Sequence, residues 1–371
     1  MPFTKFTNLD FDQIKTSIKD YLRANATFTD FDFEGSNFSV LIDTLAYNTY
    51  ITAFNSNMVV NESFLDSATL RENVVSLARN IGYVPRSRTC SKAQVTITGT
   101  ISEKDIQSVT LPAGLVCVGN ANDSSYTFCI PNNITTKVND NGSVTFNNID
   151  YLGNITGIDV YQGTFLTKSF TVDKSLDQKF ILDNPYIDTS TINVYVKGIS
   201  DSGLGLKYSL VDNIVNVTKS SQIYLIQEIQ DEKYELIFGD GVFGRKLENG
   251  AIITVSYIVS SGLAGNGAKV FNFSGSFRGS LDQIIVPNNA VSVTTNITSM
   301  GGSEIEAIDS IRHFAPKAYS AQNRAVTARD YETIIPSIYP NTESVSIVGG
   351  EELNPPQYGV VQISIKIGRA H

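Results

Sequence analysis

The chain has 371 residues, of which 42% are hydrophobic, and its 28 Lys and Arg against 37 Asp and Glu give a formal net charge of −9. This acidic balance argues against nucleic acid as a partner, because neutralising phosphates needs clustered Lys and Arg. The hydrophobic share suits a folded protein of about two or three domains, and no run of about 18 apolar residues predicts a membrane span.

Residues 1–90 are predicted to form a helical arm or bundle. Asp10 is the expected cap of a first helix, Gly35-Ser36-Asn37 opens a second, and Asp66-Ser67 starts a third that Gly82 ends. The apolar positions of the second helix are Phe38, Leu41, Leu45, Ile51, Phe54 and Met58. The sequence leaves open whether such stripes close a self-contained three-helix unit or join a bundle shared with another chain.

Residues 91–300 are predicted to form an antiparallel β-rich region, either one domain or two stacked modules. Apolar and polar residues alternate with period two in the runs 94–98, 191–196, 233–238 and 254–259. Turn signals such as Asn139-Asp140-Asn141-Gly142 separate these runs. Alternation leaves one face of a sheet polar, which is typical of antiparallel sheets.

Residues 301–371 are predicted to form an α+β unit, which makes the whole chain an α+β multidomain protein. Gly301-Gly302 is interpreted as a hinge-like break, and Ser303-Glu304-Ile305-Glu306 as the start of a helix. A capping-box pattern at Thr327–Asp330 starts a second helix. Two strand-like runs, 343–348 and 360–365, follow it, and the unit ends before it looks complete.

No catalytic, cofactor or metal site is predicted. The two histidines, His313 and His371, have no metal-ligand spacing around them, and no GxSxG pattern is present. The cysteines Cys90, Cys117 and Cys129 are interpreted as free thiols. Paired carboxylates are interpreted as solvated or capping groups: Asp30 and Asp32, Glu304 and Glu306, and Glu351 and Glu352.

One segment, Gly239-Asp240-Gly241-Val242-Phe243-Gly244, matches the GxGxxG pattern of dinucleotide-binding loops. Such a loop must open a helix, so that the phosphate meets the helix N-terminus. Here a strand-like run follows instead, and no acidic residue occurs between Gly250 and Leu281 to bind a ribose. The segment is therefore interpreted as a hairpin connection whose glycines supply positive φ angles.

Three blocks of the sequence resemble contractile-tail phage baseplate proteins. The run Phe238–Lys246 is similar to the FGDG…G hairpin of baseplate wedge proteins. The block Gly301–Glu304, Arg312, Ala315-Pro316 and Asn323–Tyr331 resembles the GG.E…R..AP…RAVT..DY pattern of the baseplate J-like family. The N-terminal block resembles the T-even wedge subunit of the gene-six-product type, through Phe11–Ile14, Asn37–Ser39, Leu70–Asn73 and Ala78–Tyr83.

This resemblance implies a late, structural virion protein of the tail baseplate, made in the host cytoplasm, with no enzymatic activity. It implies no cofactor, metal, small-molecule ligand, nucleic-acid partner or membrane insertion. In such proteins the N-terminal helices join a bundle with other wedge proteins, two copies pair within a wedge, and six wedges close an inner ring around the hub. The ring is expected to change conformation when the sheath contracts.

The resemblance also assigns structural roles to ten motif positions. These are Gly239, Asp240, Gly241, Gly244, Gly301, Gly302, Arg324, Thr327, Asp330 and Tyr331. T-even relatives continue well beyond residue 371, so the chain is expected to be truncated at its C-terminal end. The last residues, Ile367–His371, read like a translated sequencing adapter and are expected to be foreign to the protein.

A β-rich tail adhesin that binds host surface glycan is the alternative function. Exposed aromatic clusters in the turns would favour the adhesin. The chain offers 17 Tyr for such clusters, but it contains no Trp, which is common on sugar-binding surfaces.

Overall fold

A computed structural model describes residues 10–24, 36–102, 106–149, 151–175, 177–199, 201, 203, 205–211, 217–322, 324–339 and 342–367. The chain divides into two compact units, one formed by residues 1–83 and 308–319 and the other by residues 84–307 and 320–371. The α+β fold class is confirmed, with an N-terminal helical region, a large antiparallel β-rich region and a C-terminal α+β part. The boundaries predicted near residues 90 and 300 remain predictions.

The described residues contain five α-helices: α1 (Phe11–Ala24), α2 (Asn37–Glu62), α3 (Arg71–Asn80), α4 (Ile308–Ala321) and α5 (Ala328–Ile338). Their strands are β1 (Lys92–Thr100), β2 (Ser108–Leu111), β3 (Gly114–Ala121), β4 (Ser124–Ile130), β5 (Ile134–Lys137), β6 (Ser143–Phe146), β7 (Asn148–Ile149), β8 (Ile155–Thr156), β9 (Ile158–Gln162), β10 (Thr164–Thr171), β11 (Phe180–Leu182), β12 (Ile187–Lys197), β13 (Leu206–Leu210), β14 (Ile223–Glu228), β15 (Tyr234–Phe238), β16 (Ile252–Val259), β17 (Phe271–Phe273), β18 (Phe277–Arg278), β19 (Ile284–Ile285), β20 (Ser292–Met300), β21 (Thr342–Gly349) and β22 (Val361–Ile367). Short 3-10 helices cover Gln230–Glu232, Gly262–Gly265 and Gly350–Glu352. No helix in the described ranges is both long and apolar enough to cross a membrane.

The first unit is a helical body whose core includes part of α4. One cluster of buried apolar residues in this unit consists of Ala68, Val74, Val75, Ala78, Ile311 and Ala315. Val74 and Ala78 lie four residues apart and therefore share the buried face of α3. The sequence assigned α4 to the C-terminal unit, but Ile311 and Ala315 pack with the N-terminal helices.

Two helix ends follow the sequence prediction. The Ser36 hydroxyl accepts a hydrogen bond from the Ser39 N–H at 3.1 Å and caps α2. At the end of α3, Gly82 adopts φ +82°, and its N–H donates to the Arg79 carbonyl. The next N–H, of Tyr83, donates to the carbonyl of Ala78, which completes a Schellman motif.

One β module of the second unit is built on two sheets. The larger has the strand order β17-β3-β4-β9-β1-β20, with β6 also paired to β1, and the smaller has the order β19-β18-β2-β5. Val95 and Ile97 of β1 are fully buried, as the alternating pattern predicts. Phe128 and Phe271 meet edge to face in this core, with ring centroids 4.9 Å apart.

The other β module is a seven-stranded sheet in the order β10-β16-β12-β13-β14-β15-β11. Its pairings are antiparallel except for the parallel pair β13–β14. The two end strands approach each other, because the Lys168 ammonium on β10 donates to the Ile181 carbonyl on β11 at 2.9 Å. The sheet therefore curls into a barrel around a core rich in tyrosine: Tyr208, Tyr224, Tyr234 and Tyr257.

The C-terminal part packs α5 against the antiparallel pair β21–β22. The capping box predicted at the start of α5 is present, since Thr327 and Asp330 exchange hydrogen bonds between their side chains and backbone N–H groups. Both predicted strands form here as well. Residues 368–371, most of the predicted adapter-derived segment, lie outside the described residues.

Candidate functional site

Helix α2 presents large apolar side chains to solvent. The sequence left open where the apolar positions of this helix are satisfied, and within this chain Leu41, Leu45 and Phe54 each keep more than half of their surface accessible. Further exposed apolar residues of the helix are Val40, Tyr47, Tyr50 and Val59. So many large apolar side chains exposed along one helix mark an interaction surface, so α2 has the character of an assembly surface.

The buried face of α2 is smaller and more polar than expected. It consists of Ser39, Ile42, Ala46, Ala53, Asn57 and Asn61. The Asn61 amide donates to the Asn57 carbonyl at 2.8 Å, so part of the hydrogen-bonding need of these buried amides is met within the helix. Within this chain, the face of α2 that packs is therefore made mostly of small and polar residues, and its large apolar residues lie elsewhere on the helix.

The turn between α2 and α3 is organised by Glu62. Its carboxylate accepts hydrogen bonds from the Thr69 N–H at 2.8 Å and from the Leu70 N–H at 3.3 Å, just before α3 begins at Arg71. The sequence placed this start at Asp66-Ser67. The difference arises because Glu62, from the preceding helix, satisfies the first free N–H groups of the turn.

The same bonds shift the titration of Glu62. Burial by itself would raise the pKa of this carboxyl. The Thr69 hydroxyl, the Asn73 amide and the two backbone N–H groups outweigh burial and lower the pKa to about 2. Glu62 is therefore an ionised acceptor at neutral pH, placed where the N-terminus of α3 favours negative charge.

Arg312, from the motif block, closes the other side of this turn. Its guanidinium donates to the Leu65 carbonyl at 3.2 Å and to the Ala68 carbonyl, and it pairs with Asp309 at 2.8 Å. A planar guanidinium can satisfy several acceptors at once, which Lys cannot do with the same geometry. Arg312 therefore holds α4 against the turn that precedes α3.

The Gly239–Gly244 segment forms a compact loop rather than a β-hairpin. Its flanking strands have separate partners: β15 pairs with β14 and β11, and β16 pairs with β10 and β12. The hairpin prediction was wrong because two strands joined by an Asp-Gly turn need not be neighbours in a curled sheet. The loop instead closes on itself, with the Gly241 N–H donating to the Gly244 carbonyl at 3.1 Å.

Asp240 holds this loop together and its tip is apolar. The Asp240 carboxylate accepts hydrogen bonds from the Phe243 N–H at 2.9 Å and the Val242 N–H at 2.8 Å, and these bonds lower its pKa. Val242 and Phe243 are exposed, at 67% and 56% of their surface. A Cβ on Gly239 would lie 2.3 Å from the Gly244 carbonyl carbon, so this position requires glycine.

Gly301-Gly302 is a clamped segment rather than the predicted hinge. The Gly302 N–H donates to the Asn266 carboxamide at 2.9 Å, and that carboxamide donates back to the Gly302 carbonyl at 3.0 Å. A Cβ on Gly302 would lie 2.4 Å from the Gly262 carbonyl oxygen. Gly301 adopts φ +86°, a conformation that L side chains rarely take. Glycine therefore allows close backbone approach here.

Both members of the acidic pair that follows have partners, but only Glu306 is buried, while the Glu304 side chain is 47% exposed. Arg88 pairs with Glu304 at 2.5 Å, and Glu306 is only 3% exposed. Thr89 and Ser303 exchange backbone hydrogen bonds at 3.1 and 3.2 Å. The segment is consequently extended, and α4 begins at Ile308 rather than at the predicted position near Ser303.

The remaining motif positions surround the start of α5. The Asp330 carboxylate accepts from the Thr327 N–H at 2.8 Å and the Val326 N–H at 3.1 Å, and these bonds lower its pKa. The Arg324 guanidinium donates to the Gln322 side chain, and the Tyr331 N–H donates to the Thr327 carbonyl. Asn323, which precedes them in the motif, lies outside the described residues.

The ten motif positions thus fall into three settings: the loop after β15, the clamped segment after β20, and the start of α5. Each takes part in a hydrogen bond or a close backbone contact, and the structural roles assigned to them remain a prediction. In the described part of the chain, no group of three or more His, Cys, Asp and Glu side chains could hold a metal ion. Cys90, Cys117 and Cys129 are buried free thiols, and burial raises the pKa of Cys117 to about 12.

The sequence analysis missed three polar residues whose hydrogen bonds join separate segments: Glu62, Arg86 and Asn266. Each acts on a segment that is distant in sequence or separated by a turn. A lone Glu at the end of an apolar helix was the available signal for Glu62. The sequence carries no comparable local signal for Arg86, whose guanidinium donates to the Pro336 carbonyl in α5.

Two family models match the chain. The one described as baseplate wedge protein gp6-like, helical domain, covers residues 10–83. The one described as baseplate structural protein gp6, C-terminal domain I, covers residues 327–370. The first match contains α1 to α3, and the second begins at Thr327, the cap of α5.

The curated protein "Baseplate wedge protein gp6" of Enterobacteria phage T4 is 28% identical over 346 residues. The match covers 89% of this chain and 50% of the T4 protein, so the chain spans about half the length of that relative. The resemblance to this family that the sequence blocks indicated is confirmed by these matches.

A solved structure, the six-fold symmetrised baseplate of the anti-feeding prophage, also matches. Its TM-score is 0.29 at 14% sequence identity, and the match covers 93% of this chain and 62% of the matched chain. This likeness is too weak to support a shared arrangement of domains.

Proposed function

We propose that this chain, a gp6-type baseplate wedge protein, is a structural subunit of a phage tail baseplate and acts there without enzymatic activity. The observation that carries the proposal is the exposed apolar surface of α2. A 26-residue helix with a single acidic residue, Asp43, before its last residue and several exposed aromatic and aliphatic side chains is poorly suited to remain in water. Burial against helices of other baseplate proteins would remove that surface from solvent.

The proposed partners are further copies of this chain and other wedge proteins. Pairing of two copies within a wedge, followed by ring closure around the hub, would place the protein in the inner ring of the baseplate. Contacts between different surfaces on neighbouring copies generate a closed ring when the rotation between them closes. The exposed Val242–Phe243 tip is a second apolar feature available for such contacts.

The proposed mechanical role is to hold the wedges before attachment and to let the ring widen when the sheath contracts. For this role we retain the three-part organisation proposed from the sequence: a helical arm to residue 90, a β-rich body to residue 300, and an α+β unit after it. In this scheme the helical arm would supply inter-subunit contacts and the β-rich body would separate the contact surfaces.

Co-expression with the neighbouring wedge proteins, followed by pull-down and electron microscopy, tests the proposal. The double variant Leu41→Asp/Leu45→Asp should lose co-purification of partners while the chain itself remains folded, since both side chains are exposed. Leu281→Asp is the matched control, because Leu281 is 89% exposed and lies outside α2. Partner capture that is unaffected by the α2 substitutions would contradict the role of this surface.

A further inference from the structure

The barrel of the second unit has a seam that side chains close. Its end strands each pair on one side, β10 with β16 and β11 with β15. Across the gap, the Lys168 ammonium donates to the Ile181 carbonyl at 2.9 Å and forms an ion pair with Asp183. A charged lysine side chain therefore occupies the place where a closed barrel would have a backbone ladder.

A second side chain bridges the gap near the other end of β10. The Gln178 carboxamide donates to the Thr171 carbonyl at 2.9 Å and accepts from the Asp173 N–H at 3.0 Å. Both partners belong to the end of β10 and the residues just after it, whereas Gln178 lies just before β11. The carboxamide thus makes the two hydrogen bonds that a backbone peptide group of a neighbouring strand would make in a continuous sheet.

Aromatic rings fill the space beneath these bridges. Phe170 of β10 and Phe180 of β11 meet edge to face, with ring centroids 5.6 Å apart. Phe180 also meets Phe238 of β15 at 5.4 Å. The seam is therefore a packed contact between side chains, and separating it would break few backbone hydrogen bonds.

An open cleft lies beside the seam. It encloses about 1020 Å³ of space continuous with solvent. Gln178 and Phe180 form part of one wall, and Phe238 and Leu247 part of the other. Phe180 of β11 therefore borders open space beside the seam.

The two sides of the seam are held differently. β10 pairs with β16 along its full length and also packs against β3 and β4 of the other β module. Phe165, near its start, lies against the buried cluster of Cys90, Cys129 and Ile258. β11 has three residues and pairs with β15 over those three. Movement at the seam would therefore displace β11, while β10 stays in place.

We infer that the line between β10 and β11 is a latch, in which Lys168 and Gln178 hold the barrel closed and whose release lets β11 move away from β10. The latch gives the β-rich body a second conformation that leaves the other β module intact. It rests on the geometry of the barrel and does not depend on the proposed function.

Hydrogen exchange of the full chain tests the latch. Lys168→Met removes the ammonium but keeps an apolar stem, whereas Lys168→Arg keeps the charge. Lys207→Met is the matched control, because Lys207 is an exposed lysine of the same barrel. Gln178→Ala tests the second bridge separately. Gln178 is half-buried, so this variant can still test the latch if Lys168→Met does not fold.

Lys168→Met and Gln178→Ala should each raise exchange in β11 by about tenfold, the change that corresponds to about 1.4 kcal/mol. Lys168→Arg and Lys207→Met should leave exchange there near the wild-type level. The buried thiols report on the rest of the unit, so their reactivity towards a thiol reagent should stay low. Unchanged exchange in β11, or a uniform rise across all barrel strands with exposure of the thiols, would overturn the latch.

Discussion

Arg86 and Glu306 are joined by two hydrogen bonds although 220 residues separate them in the sequence. The Arg86 N–H donates to the Glu306 carboxylate at 2.9 Å, and the Glu306 N–H donates to the Arg86 carbonyl at 3.1 Å. The Arg86 guanidinium also donates to the Pro336 carbonyl at 3.3 Å. One residue thus connects the segment before β1, the segment after β20 and helix α5.

Glu306→Ala should lower the free energy of unfolding by about 1–3 kcal/mol. The substitution leaves a partly buried N–H of Arg86 without its acceptor, the carboxylate of the buried Glu306, and leaving such a polar group unsatisfied costs about that much. Urea unfolding followed by circular dichroism measures the change. Glu306→Gln keeps an acceptor oxygen and should cost less.

Glu352→Ala is the control for this prediction, because Glu352 is exposed. It should change stability by no more than about 0.5 kcal/mol. Equal effects at the two positions would contradict a specific role for the bond between Glu306 and Arg86.

Because folding lowers the pKa of Glu62, the turn between α2 and α3 is expected to become less stable in acid. The folded-state pKa of Glu62, about 2, lies below the ordinary value of 4.5 for a glutamate carboxyl. A carboxyl whose pKa is depressed by folding stabilises the protein above the unfolded pKa, and this contribution is lost as pH falls towards the folded pKa. Hydrogen exchange at Thr69 and Leu70 should therefore accelerate, relative to the intrinsic rate, as pH falls from about 4.5 towards 2.

Glu62→Gln separates this effect from general acid unfolding. The amide keeps the shape of the side chain but does not ionise, so the turn should be weaker at neutral pH and less dependent on pH. If the variant and the wild type show the same pH dependence at Thr69 and Leu70, then another group is responsible.

Local patterns in the sequence predicted much of the fold. Ser36, Gly82 and Thr327 each mark a helix end through bonds to residues within a few positions, and the structure confirms all three. The alternation around Val95 and Ile97 likewise predicted which face of β1 is buried. Capping and strand alternation are short-range effects, so one sequence is enough to detect them.

The errors concern partners that are distant in the sequence. The prediction of a hairpin at Gly239–Gly244 was wrong because β15 and β16 have different neighbours in the curled sheet. The prediction of a hinge-like break at Gly301-Gly302 missed the two hydrogen bonds that the Asn266 side chain, from another loop, makes to Gly302. For α2, hydrophobicity could not distinguish a face buried within this chain from a face available to another chain, since both carry apolar residues.

Gly239→Ala should disrupt the loop after β15. The added methyl group would lie 2.3 Å from the Gly244 carbonyl carbon, and the neighbouring backbone must move to admit it. Forced overpacking of this kind costs about 1–3 kcal/mol. The expected result is a lower midpoint in urea, together with faster exchange of the Val242 and Phe243 amides.

Val242→Ala in the same loop is the matched control. Val242 is 67% exposed at the tip, so its truncation should leave the stability of the isolated chain nearly unchanged. A large loss of stability from Val242→Ala would show that the tip packs within the chain and would remove it from the candidate contact surfaces.

Ile42 and Leu45 lie one turn apart on α2 and are predicted to respond in opposite ways. Ile42 is 2% exposed, so Ile42→Ala should cost the isolated chain about 2–5 kcal/mol through lost burial and the cavity left behind. Leu45 is 56% exposed, so Leu45→Ala should change the free energy of unfolding by less than about 0.5 kcal/mol. In co-expression with wedge partners, Leu45→Ala should weaken the complex although the chain itself stays folded. Thermal unfolding of the isolated chain and pull-down of the complex measure the two effects, and a stable Ile42→Ala variant or a destabilised Leu45→Ala variant would contradict the assignment of the two faces.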